Sequence, residues 1–169
     1  MDKLYQAGYK DARPNEVTYT SVINSCAFPA ASCDPKTRRK ALDTALFTLQ
    51  ELQASRYGHP NEITYGTFMQ ACANLLVAND DEMLLREVIE NTFQQCCRDG
   101  QVGEMVLTHL KIAAPEDLYK ELLSEVEVLG ETAVSVEHLP QEWRCNIPGQ
   151  KIFGNENAMY LTQKTNRYS

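Results

Sequence analysis

No stretch of this sequence stays apolar for the roughly 18 residues that a membrane-crossing helix needs, so no such helix is expected. Histidine is scarce. His59, His109 and His138 are the only three, and none has sequence neighbours suited to a catalytic triad or a zinc site. The six cysteines, Cys26, Cys33, Cys72, Cys96, Cys97 and Cys145, contain no Cys-x-x-Cys pair, which removes the usual zinc spacings. Cys26, Cys72 and Cys96 fall on apolar helical faces instead, where a reduced cysteine acts as a small hydrophobe. No metal, cofactor or catalytic constellation is therefore expected, and the chain reads as non-enzymatic. Met1–Gly8 has neither a signal-peptide core nor the arginine- and serine-rich character of a transit segment.

A basic excess is also missing. The net charge is −7, and it is unevenly spread. Residues 1–60 carry eight Lys/Arg against six Asp/Glu, residues 61–130 four against thirteen, and residues 131–169 four against four. The middle of the chain is thus strongly acidic, which speaks against a polyphosphate surface there.

What is present is a repeat. Pro14-Asn15-Glu16-Val17-Thr18-Tyr19-Thr20-Ser21-Val22-Ile23-Asn24-Ser25-Cys26-Ala27 returns, 46 residues on, as Pro60-Asn61-Glu62-Ile63-Thr64-Tyr65-Gly66-Thr67-Phe68-Met69-Gln70-Ala71-Cys72-Ala73. A period of this size marks a stack of supersecondary units, each completing its core against its neighbours. Val17-Thr18-Tyr19-Thr20 and Val22-Ile23 favour strand by propensity. Yet Tyr19, Val22, Ile23, Cys26 and Ala27 fall on one helical stripe, and Tyr65, Phe68, Met69, Cys72 and Ala73 repeat it. Asn15 and Asn61 stand where N-caps belong, with Glu16 and Glu62 next to the positive helix end. Both signatures are predicted helices.

Partner helices follow. Asp34-Pro35 supplies a cap and an N1 proline for a helix burying Leu42, Ala45, Leu46, Leu49 and Leu52, closed by Gly58 and Pro60. Asn79 or Asp80 caps a helix with Leu84, Leu85, Val88, Ile89 and Cys96 inward, ending at Gly100; Asp80, Asp81 and Glu82 read as cap and dipole partners. Val102, Met105, Val106, His109, Leu110 and Ala113 make one further helical face, with His109 a core histidine. Pro115 opens a helix burying Leu118, Leu122, Leu123 and Val126, up to Gly130. Leu139–Ile147, carrying Trp143, is expected to fold back on this last hairpin, and residues beyond about 155 are expected to be poorly ordered. The chain thus divides into the end of a preceding repeat (1–13), two repeats (14–59 and 60–100), a degenerate capping hairpin (101–130) and an irregular tail (131–169). The fold class expected is all-α, a right-handed α-solenoid of antiparallel helical hairpins. Because Met1–Gly8 reads as the end of a helix under way, the chain is expected to be the C-terminal part of a longer array.

Paired helices opening on Pro-Asn-x-Val/Ile-Thr-Tyr resemble the pentatricopeptide repeat family, and the 46-residue unit resembles its long-repeat members of the algal and protist type. The match is good over Pro14–Ala27 and Pro60–Ala73, looser over the following helices and absent after Gly130. The resemblance implies sequence-selective binding of single-stranded RNA, one base per repeat, in RNA processing, stability or translation in a mitochondrion or plastid. Carried onto this sequence, Thr20 is the main base reader and Asn61 its partner, a combination resembling the family's adenine-preferring pair. Val17 and Ile63 match positions that flank the bases. Gly66 occupies the reader position of the second copy, without a side chain to reach a base, and Asn15 belongs to the preceding repeat. The appendages carried by some family members, nuclease or deaminase, find no motif in the tail.

The basic run Lys36, Arg38, Arg39 and Lys40 is a candidate phosphate contact, since cations in the first turns of a helix oppose its dipole. The other reading of that run is a solvated face paired with Asp34 and Asp43. A second function stays open beside RNA binding: a scaffold of tetratricopeptide type that takes a protein partner on the acidic second and third hairpins.

Overall fold

The computed structural model describes residue 8 and residues 14–28, 34–76, 82–124, 126 and 134–148. These are helical, with no strand among them. In chain order they form α1 (Glu16–Ala27), α2 (Pro35–Gln53), α3 (Glu62–Leu75), α4 (Glu82–Arg98), α5 (Glu104–Ala113), α6 (Glu116–Leu122) and α7 (Gln141–Arg144), with a 3₁₀ turn at Val136–His138 before α7. Residues 77–81, which hold the expected cap of α4, lie outside the described set, as do most of 1–13 and everything after 148.

The helical outcome of the β-prone signatures begins at their first residues. Asn15 Oδ1 accepts from the Thr18 N–H at 3.1 Å and from its hydroxyl at 3.1 Å, while the Asn15 N–H reaches back to Thr18 Oγ1. Asn61 and Thr64 repeat the same reciprocal cap. Orphan N–H groups at both helix starts are thereby satisfied, worth about 1 kcal/mol per cap. Pro14 and Pro60 are buried just ahead of the caps. Asp34 caps α2 through the Thr37 N–H and hydroxyl, with Pro35 at N1; those bonds hold its carboxyl below the usual range. Gly100, at φ +64°, ends α4, with the Gly100 and Gln101 N–H groups bonded back to Cys97 O and Cys96 O.

α3 is the centre of the packing. It lies against α1 and α5 and also touches α2 and α4. Tyr65, Phe68, Met69, Ala71, Cys72 and Leu75 are all buried, as are Thr64, Gly66 and Thr67. Burying side chains the size of Phe68 or Met69 contributes about 1.5–3 kcal/mol each. The equivalent stripe on α1 behaves differently: Ile23 and Ala27 are buried, Tyr19 and Cys26 are half-buried and Val22 is exposed. The sequence stripes are alike, but the main packing of α1 is on α2 and α3, whereas α3 has helices packed on both flanks.

Other expectations are corrected. α5 begins at Glu104, so Val102 precedes it; Val102 is nevertheless buried, and its N–H donates to Trp143 O at 2.7 Å. α2 stops at Gln53, ahead of Gly58. α6 ends at Leu122 rather than running toward Gly130. Segment 139–147 does fold back, but onto α4 of the preceding hairpin, where Trp143 meets Phe93 edge to face at 5.7 Å. Asn146 joins it there, bonded to Asp99 O, Gly100 O and Gln101 Nε2. His109 is not a satisfied core histidine: its buried Nδ1 has no hydrogen-bond partner among the described residues.

Candidate functional site

Along one face, α1, α3 and the start of α5 line an open cavity of about 590 Å³. Val17 and Ile63 are among its walls, each the second residue of its helix, exposed at 63% and 56%. Both positions follow from the caps: once Asn15 and Asn61 fix N-cap, Val17 and Ile63 are turned away from the stripe that packs. Met105 occupies the same place on α5. Thr20, Ser21, Asn24, Ser25, Asn61 and Thr67 add hydroxyl and amide groups, and Glu16 brings a charge to the lining.

Four of the sequence-predicted residues therefore meet in one cavity: Val17, Thr20, Asn61 and Ile63. Asn15 and Gly66 do not line it. Asn15 serves as the α1 cap. Gly66 is buried against α5, where an added Cβ would lie 2.7 Å from Met105 Cγ. Its missing side chain is thus a packing requirement of the α3–α5 contact. Lys36, Arg38, Arg39 and Lys40 lie on the first turns of α2 and also stay outside the cavity. Arg39 pairs with Asp43 at 3.3 Å on the exposed surface, an interaction of small energetic weight.

Sequence reasoning missed Thr64, Thr67 and Met105. Thr64 is fully buried, and its Oγ1 sits 2.8 Å from Thr20 Oγ1 while donating to Asn61 Oδ1 at 3.0 Å. The two predicted readers are therefore joined through the Thr64 hydroxyl. The signal in the sequence was the threonine in each signature, which reads first as a helix-start residue.

A carboxylate bridges the next helix start. Glu62 Oε1 accepts the Met105 N–H at 3.1 Å. Gly103, the N-cap of α5, offers no side-chain cap, and a Cβ there would collide with the Glu62 carboxylate. Glu62 thus caps α5 from α3, where the helix dipole favours its charge.

Burial holds the core thiols and one core phenol in their protonated forms. Burial pushes the Cys72 thiol up to about 12 and raises Cys96 well above its ordinary value, so neither offers a thiolate near neutral pH. Burial, then the hydrogen bond to Asp99, raises Tyr65. No group of three or more His, Cys, Asp or Glu among the described residues is placed to hold a metal ion. No helix among them is long and apolar enough to cross a membrane. Compared with protein-family models, with curated proteins and with solved structures, the chain matches none of them.

Proposed function

We propose that this chain is a helical-repeat protein of the pentatricopeptide type, a right-handed α-solenoid of antiparallel hairpins that binds single-stranded RNA in organellar RNA processing, stability or translation. The carrying observation is the convergence of Val17, Thr20, Asn61 and Ile63 on one cavity. Two exposed aliphatic side chains on neighbouring helices suit the two faces of a base, and the hydroxyl and amide between them suit its edge. The Thr20 and Asn61 pair favours adenine by its resemblance to the family's pairing. The basic run on α2 supplies phosphate contact from outside the cavity.

The test is an equilibrium titration of the protein with adenine-rich and randomised single-stranded RNA, at about 50 mM salt and at a higher salt concentration. The expected result is tighter binding of the adenine-rich strand. Absence of binding to either strand at the lower salt overturns the reading.

One observation favours a protein partner instead: among the described residues, the cavity lining holds no Lys or Arg and does hold Glu16. With the acidic charge of residues 61–130, it suits a basic amphipathic peptide laid across α1 and α3. Binding of such a peptide in place of RNA, in the same titration format, selects this second reading.

A further inference from the structure

We propose that Thr64 is a positioning residue that sets the hydrogen-bonding polarity of the cavity, holding Thr20 as an acceptor and Asn61 as a donor toward a bound base. This rests on the reading of the cavity as a base-binding cleft.

The assignment follows from counting protons. Asn61 Oδ1 faces the Thr64 N–H at 3.0 Å, and a backbone N–H can only donate, so the amide oxygen must be turned that way. Thr64 Oγ1 lies 3.0 Å from the same oxygen, which has no proton to give, so the single Thr64 proton goes to Asn61. The 2.8 Å contact between the Thr20 and Thr64 hydroxyls is then made with the Thr20 proton. Thr64 Oγ1 also takes the Asn61 N–H at 3.4 Å and is saturated.

Two consequences reach the cavity. Thr20 has spent its proton inward and keeps only lone pairs for an incoming group. Asn61 has both lone pairs of Oδ1 engaged and keeps only its Nδ2 protons. The pair therefore reads an edge with a donor beside an acceptor, in one order set by the backbone direction of the strand. Adenine and cytosine place an amino group beside an unprotonated ring nitrogen; guanine and uracil place a carbonyl beside a protonated one. The relay forms once among the described residues. Thr18 makes the same cap with Asn15, but Val106 stands at the matching place on α5 and has no hydroxyl.

The experiment measures binding of oligoadenylate and oligouridylate to the full chain and to T64V and T64S. Wild type is expected to separate the two strands by roughly tenfold. T64V keeps the side-chain shape and the backbone N–H that orients Asn61, but it returns the Thr20 proton and one Asn61 Oδ1 lone pair to the cavity, and its ratio falls toward one. T64S keeps the hydroxyl and restores the ratio. Equal weakening of both strands in T64V, with the ratio kept, makes Thr64 a helix cap only and overturns the proposal. In the free protein, the Asn61 side-chain amide resonances are expected to move in T64V and to stay in T64S; unchanged resonances in T64V also overturn it. A wild type that binds neither strand overturns the base-binding reading and this role with it. The amide spectrum tells that failure from a failure of the relay.

Discussion

Gly66 and Met105 meet so closely across the α3–α5 interface that a β-carbon on Gly66 would lie 2.7 Å from Met105 Cγ and 3.4 Å from the Met105 carbonyl carbon. On an isolated helix, alanine in place of glycine gains about 1 kcal/mol. Here the added methyl overpacks a buried interface, at a cost of about 1–3 kcal/mol. Gly66→Ala is therefore expected to lower the midpoint of thermal unfolding. Combining it with Met105→Ala should recover part of that decrease, because the two side chains occupy the same space. Additive effects in that cycle would place the strain elsewhere.

Replacing Glu62 by alanine removes the side-chain cap of α5 and should cost about 0.5–2 kcal/mol in denaturant unfolding. Glu62→Gln keeps an acceptor for the Met105 N–H and should cost less. Gly103→Ala is expected to be the most damaging of the three, since the carboxylate and the new methyl would claim the same space.

Changing Lys36, Arg38, Arg39 and Lys40 together to alanine separates phosphate binding from stability. Affinity for RNA should fall, and the slope of log affinity against log salt should flatten by about 0.7 for each phosphate no longer neutralised. Thermal stability should hold or rise slightly, since cations in the first turns of α2 oppose its dipole. An unchanged salt slope would return these residues to the solvated surface.

Tyr65 gives an alkaline signature. Its hydroxyl donates to Asp99 from a buried position, and burial followed by that bond raises its pKa above the ordinary value of 10.0. The folded state thus holds this proton more tightly than the unfolded chain. The associated stability is complete below pH about 10 and is lost as pH rises past it toward the folded pKa. Wild type is expected to lose stability above that pH more steeply than Tyr65→Phe, measured by denaturant midpoints across the alkaline range. Parallel curves for the two proteins would remove Tyr65 as the cause.

Much of the fold is written locally. Asn15, Asn61 and the Asp34-Pro35 pair announce helix starts through chemistry confined to a few residues, and Gly100 announces a stop in the same way. What sequence could not supply is the identity of neighbours. The stripes of α1 and α3 are nearly the same, yet Val22 is exposed while Phe68 is buried, because α3 has a helix on each flank. The candidate site divides along the same line. Val17 and Ile63 follow from cap position alone. The role of Gly66 depends on Met105, 39 residues later, and the role of Thr20 on Thr64, 44 residues later. His109 misled because an apolar helical face suggests a satisfied imidazole but says nothing of what stands opposite Nδ1.

The short turn at 99–102 between the second and third hairpins is tied down by residues more than 40 positions further along: Trp143 O on Val102, and Asn146 on Asp99, Gly100 and Gln101. Gln101 in turn holds the Glu62 N–H through Oε1. The joint between these two hairpins is thus latched from a distance. Without the 143–146 segment, the two hairpins would be held by the α3–α5 packing and by Glu62 on the Met105 N–H, and the turn itself would lose its outer hydrogen bonds. The end of the described chain thus braces the turn that leads into α5, one of the helices lining a cavity to which it contributes no wall.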